Sequence, residues 1–77
     1  MKLKKGDIVV ANDNFWYMVT NKANKYIGRV IKVRGTSFDA KTISCTQSPR
    51  GERFDDLHES RFITLNQAVK EGFPIDI

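Results

Sequence analysis

Short apolar blocks, rich in β-branched residues, alternate along this chain with polar clusters that favour turns. Ile8-Val9-Val10-Ala11 follows the turn pair Gly6-Asp7 and reads as a first strand. Asn12-Asp13-Asn14 ends it, because Asn and Asp bond their own backbone and tolerate left-handed geometry. Phe15-Trp16-Tyr17-Met18-Val19 and the polar stretch Thr20 to Lys25 then form one long excursion, residues 12–26, with partly extended arms. Tyr26 to Arg34 is the strongest strand signal, and Gly28 inside it predicts a bulge or tight bend.

The second half continues in the same manner. Arg34-Gly35-Thr36-Ser37 is a hairpin signal, with Gly35 free to adopt positive φ. Phe38 to Ile43 alternates, placing Phe38, Ala40 and Thr42 on one face and Asp39, Lys41 and Ile43 on the other, as a half-buried antiparallel strand does. A loop spans Thr46 to Arg53, and Arg53 to Leu57 is a fourth strand. His58-Glu59-Ser60-Arg61 suits one 3₁₀ turn. Phe62 to Leu65 is a fifth strand, and Asn66 is placed to cap a short helix from Gln67 to Glu71 that Gly72 stops. The pattern predicts a mainly all-β chain of five short strands: one domain over 1–77, its core at 5–65 and a short C-terminal extension at 66–77.

Size narrows the function. Seventy-seven residues hold one core, and a deep, dry catalytic cleft is hard to build at that scale, so a shallow binding surface is expected. With 40% apolar and 29% charged residues the balance is that of a folded soluble protein. Apolar runs such as Ile8 to Ala11 are far short of a membrane span, and the basic start lacks the apolar stretch of a secretory signal. Cys45 is the only cysteine and forms no internal disulfide, which fits a reducing, cytoplasmic setting.

Chemistry-bearing residues are sparse. His58 lies near Asp55, Asp56 and Glu59, but one imidazole with surface carboxylates is not the ligand set of a structural zinc site. Cys45 has no local CxxC partner and no neighbouring base. Phosphate-cradling glycine motifs are absent. The reading is therefore non-enzymatic, with no catalytic residue, metal or cofactor expected.

Charge and aromatic residues carry the rest. The net charge of +4 is unevenly spread: residues 1–36 hold eight Lys and Arg against Asp7 and Asp13, while residues 37–77 hold five against seven acidic groups. A basic half invites an acidic partner, although Lys and Arg also solvate the outer faces of strands and discourage edge pairing. Trp16, Tyr17 and Tyr26 around the long loop are candidates for a protein-binding rim. Lys22, Lys25, Arg29, Lys32 and Arg34 are candidates for phosphate contact, with the same rings able to stack on bases.

Five short strands, a long loop after the first and a 3₁₀ turn before the last resemble the SH3-like barrel over about residues 5–65. Gly6-Asp7-Ile8-Val9 with Gly28-Arg29-Val30-Ile31-Lys32-Val33 is similar to the glycine and valine pattern of KOW-type domains. Tyr17 to Lys22, Gly28-Arg29-Val30, Phe54 to Leu57 and Ser60-Arg61-Phe62 resemble segments of small phage and prophage proteins of Gram-positive bacteria. No acidic cluster occupies the long loop and no ALYDY-like stretch opens the first strand, so recognition of PxxP ligands is not expected. The resemblances imply a binding module: first an accessory protein that docks on another protein, and alternatively a KOW-like nucleic-acid binder. A small-ligand or nucleotide-binding oligomer is a further alternative, with the chain a monomer or small homo-oligomer.

Overall fold

The computed structural model describes residues 2–12, 26–45 and 48–73. Trp16, Tyr17, Lys22 and Lys25 lie outside the described residues, as does most of the long excursion. The rest is mainly β. The strands are β1 (Ile8–Ala11), β2 (Ile27–Arg34), β3 (Ser37–Ser44), β4 (Arg53–His58) and β5 (Phe62–Thr64). A 3₁₀ turn at Glu59–Arg61 precedes β5, and one helix, α1 (Leu65–Lys70), follows it. All pairings are antiparallel within one sheet of order β4-β3-β2-β1-β5.

Local chemistry explains the joints. Between β2 and β3 the loop is Gly35-Thr36, and positive φ at Gly35 alone (60°) suits a type II′ turn, whose twist matches that of the flanking strands. The amide of Glu59 donates to the Thr36 carbonyl at 3.0 Å and so ties the 3₁₀ turn to this hairpin tip. Asn12 holds the turn from the other side, its amide donating to Arg61 O at 3.0 Å and its Nδ2 to Ser60 O at 3.1 Å. His58 caps the turn, Nδ1 accepting from the Ser60 amide at 3.1 Å.

The helix starts two residues before the expected Gln67, and its cap is Thr64, not Asn66. The Thr64 hydroxyl accepts from the Gln67 amide at 3.2 Å, the three-residue reach of a helix cap. The same residue ends β5, so strand and helix meet without a linker. Gly72, at φ 77°, closes the other end: its amide donates to Val69 O, and that of Phe73 to Ala68 O.

Two apolar clusters lie on opposite faces of the sheet. On the inner face Leu3, Val9, Ala11, Tyr26, Val30, Phe38, Ala40, Leu57 and Phe62 form the main core, with Phe54 and Cys45 packed against it. On the outer face Val10, Ile27 and Ala68 are buried, with Ile8, Ile43, Ile63, Leu65 and Phe73 around them. The alternation Val9, Val10, Ala11 thus serves both clusters, and β1, at the junction of β2 and β5, is buried on both sides. Leu3, Ala68 and Phe73 carry the packing past the 5–65 span at both ends.

Gly28 does what its position in the strand predicted. The pairing of β2 with β3 shifts register between Ile27 and Gly28. The Tyr26 ring then folds back over the glycine: a Cβ there would lie 2.6 Å from Tyr26 Oη and 2.7 Å from its Cε1. Only hydrogen at that position leaves room for the tyrosine in the core. Tyr26 in turn meets Phe54 and Phe62 edge to face, at centroid distances of 5.6 and 6.1 Å.

Candidate nucleic-acid interface

The outer face divides into two halves. Where β1 pairs with β5 and the start of β2, the face is apolar, and α1 and Phe73 cover it. Farther along β2 and across β3 and β4 it is polar and open. Arg29 on β2 is directly opposite Lys41 on β3, which is opposite Arg53 on β4. Directly paired residues share a face, so these three cations form one row across three strands, and all three are exposed. Lys32 pairs with Asp39 one step along the same face, and Arg34 lies at the hairpin end.

Asp39 is the hub of this face. Its position is on the solvent side, as the alternation predicts, yet it is only 1% exposed. Arg34 and Arg53 reach over it from the neighbouring strands. Arg34 donates in parallel through Nη1 and Nη2 at 2.8 and 2.6 Å, a fork-to-carboxylate pair, and Arg53 Nη2 approaches at 3.2 Å. The Asp56 amide adds a fourth hydrogen bond at 2.9 Å. Asp56 has φ 59°, a rare value for a residue with a side chain, where the β3–β4 register shifts between Phe38 and Ala40. The bulge turns that amide toward the carboxylate.

The electrostatics follow. The Arg34 hydrogen bonds, followed by the Asp56 amide, hold the Asp39 carboxyl well below the usual carboxylate range. Arg34 is raised in return by its bond to Asp39. Arg53 is raised first by Asp55, whose Oδ1 accepts from Nε at 2.6 Å, and then by Asp39. Two arginines and two aspartates therefore form a self-neutralising cluster. Among the described residues Arg29, Lys32 and Lys41 enter no ion pair. They are the uncompensated charge of this face.

The structure brings together three of the five candidate phosphate contacts, Arg29, Lys32 and Arg34, and adds Lys41 and Arg53 from the half of the sequence whose net charge is acidic. Sequence reasoning missed these two because charge was summed along the chain, whereas a sheet adds it across strands. Register is the signal that finds them. Of the protein-binding candidates only Tyr26 lies among the described residues, and it is fully buried in the main core. The ring expected at the rim supports the sheet from within.

Other polar groups serve local structure. His58 Nδ1 also meets Ser60 Oγ at 2.8 Å. Cys45 packs against the main core. Ser48, buried, lies 3.1 Å from Thr42 Oγ1 and donates to Glu52 Oε1, bracing the turn before β4. A depression of about 360 Å³ lies between the Gly6-Asp7 turn and the start of α1. Two of its polar members are engaged locally: Asp7 Oδ2 accepts from the Lys4 amide and Thr64 Oγ1 from Gln67. Among the described residues no helix is long and apolar enough to cross a membrane, and no group of three or more His, Cys, Asp or Glu is placed to hold a metal ion. Comparison with protein-family models, curated proteins and solved structures finds no match to this chain.

Proposed function

We propose that this chain is a non-enzymatic nucleic-acid-binding module whose phosphate-contacting surface is the open half of the sheet's outer face. The observation that carries the reading is the row of exposed cations Arg29, Lys41 and Lys32 on β2 and β3, Arg29 directly opposite Lys41, which enter no ion pair among the described residues. Like charges directly opposite on adjacent strands destabilise a sheet. A fold that needed only solubility would interleave acids here, as the Arg34, Asp39, Arg53, Asp55 cluster does beside it. A row left uncompensated suits a polyanion that supplies the missing negative charge on binding.

The finer fold reading points the same way. Among the described residues the sheet is open, with β4 and β5 at its edges; the strand order and the 3₁₀ turn between β4 and β5 are those an SH3-like small barrel would have, and the KOW-type variety rests on the glycine and valine pattern of Gly28-Arg29-Val30 in the sequence. Docking on a protein, as in a phage-type accessory factor, rests on Trp16 and Tyr17, outside the described residues, and on Tyr26, which is buried. The basic face makes nucleic acid the better supported partner.

Fluorescence anisotropy of labelled oligonucleotides, single- and double-stranded, tests the proposal. Saturable binding at about 50 mM salt that weakens as salt is raised to about 200 mM is the expected result. The double variant R29E/K41E should lose that binding while keeping the wild-type circular dichroism spectrum. Absence of binding at the lower salt, or binding that the double variant retains, overturns it.

A further inference from the structure

Resting on that reading, we infer that the ligand is a double-stranded nucleic acid held through its phosphates alone, and that Arg29, Lys32 and Lys41 make the contact while Arg34 and Arg53 do not. Two independent features of the face lead there. The first is what the face lacks. Single-strand recognition draws on aromatic rings that stack on bases. Among the described residues the rings of Tyr26, Phe38, Phe54 and Phe62 all point into the main core, and Phe73 packs with α1 on the covered half. Among the described residues the open half presents guanidinium and ammonium groups with no aromatic platform between them.

The second feature is the geometry of the charge. Arg29 and Lys32 stand three residues apart on β2, roughly 10 Å at about 3.3 Å per residue, and Lys41 lies on β3, about 4.8 Å across. A duplex carries one phosphate charge per about 1.7 Å of axis, on the order of six over that distance. Arg29, Lys32 and Lys41 can therefore each find a phosphate without the ligand adopting a special conformation. None of Arg29, Lys32 and Lys41 is fixed by a partner among the described residues that would orient it toward a base edge. The contact positions a backbone and reads no sequence.

The division among the cations follows from the ion pairs. Binding to phosphate gains free energy by releasing condensed counterions, one for each charge neutralised. Arg34 and Arg53 are already neutralised by Asp39 and Asp55 at 2.6 Å and have little to add. They act as braces. The fork of Arg34 and the span of Arg53 clamp β2, β3 and β4 through one buried carboxylate and keep the face in register.

The test is the salt dependence of affinity for two duplexes of unrelated sequence and for one matching single strand, measured by anisotropy on the full chain. Three phosphate contacts give a slope of about −2.7 in log K against log salt, roughly a fortyfold loss over a fourfold rise in salt. R29Q, K32Q and K41Q should each flatten the slope by about 0.9, and R53Q should leave it unchanged. R34Q provides the same control should R53Q unfold. The two duplexes should bind within a factor of about three of each other, and the single strand more weakly, in keeping with contact to phosphate alone. Tighter binding of the single strand, a clear preference between duplexes, or a slope that falls equally for R53Q and K41Q overturns this inference and leaves the function standing. Absence of binding to every probe overturns both.

Discussion

Ile27 and Arg29 stand two residues apart on β2, face the same side of the sheet and are opposite Val10 and Ile8 of β1, yet their surroundings differ completely. Ile27, paired with Val10, is 2% exposed beneath α1. Arg29, paired with Ile8, is open to solvent. The dividing line is the reach of α1. The helix is only six residues long, begins directly after the last residue of β5 and covers what lies nearest, which is β1 and the start of β2. Beyond its reach the sheet must face water, and there the sequence changes from Ile and Val to Arg and Lys. The comparison separates two kinds of selection on one surface: the covered half is shaped by packing, and the open half is left to solubility and binding.

The sharpest way to break the comparison is to truncate one residue of each half. Ile27→Ala removes a buried branched side chain and should cost about 2–5 kcal/mol, a large part of what a domain of this size has. Arg29→Ala, on the same strand and face, should stay within about 0.5 kcal/mol of the parent. Urea unfolding midpoints measure both. Comparable losses would mean that the row supports the fold and would remove the basis for treating it as a binding surface.

Asp39 joins the halves, since it is a polar residue of the open face that is buried as deeply as the core. Its folded pKa lies below its unfolded one, so its stabilisation is complete above the unfolded value of about 3.9 and is lost as pH falls below it toward the folded value. Asp39→Asn keeps the shape but cannot accept both the Arg34 fork and the Arg53 hydrogen bond. The variant should unfold at lower temperature than the parent near neutral pH, and the gap should narrow as pH is taken below about 4. A gap that stays constant through the acid range would show that the carboxylate charge is not what holds β2, β3 and β4 together.

The strands and joints of this fold were largely legible in the sequence because each carries its own local chemistry: β-branched runs for β1 and β2, Gly35 for the hairpin, alternation for β3, Gly72 for the helix stop. The N-cap was misplaced because Thr64 and Asn66 are both competent caps, and only the end of β5 decides between them. Asp39 was legible as an outer-face residue but not as a buried one. Its burial comes from Arg34 and Arg53, which approach from other strands, and from a backbone bulge at Asp56 that no residue type announces. Tyr26 was misread for a related reason. A tyrosine beside a long loop is an exposed candidate until Gly28, two residues on, is seen to be the floor on which its ring rests. Local rules locate elements, whereas register and bulges determine which side chains meet. The candidate interface belongs to the second kind of information.

The smallest effect is the most diagnostic. Lys41 is the centre of the row, with a cation directly opposite on each side. Cross-strand pairs contribute roughly 0.2–1 kcal/mol, and like charges enter with the unfavourable sign. Lys41→Gln removes both repulsions and leaves a long polar side chain on the strand, so the domain should become more stable by a few tenths of a kcal/mol, read as a higher thermal midpoint at low salt. The gain should shrink as salt rises, because exposed charges at this spacing are screened. Lysine at this position would then be worse for the fold than glutamine, and its presence would be explained by what it binds. A loss of stability in Lys41→Gln would instead mark the lysine as part of the packing of β3 between β2 and β4, and the row as a consequence of the fold.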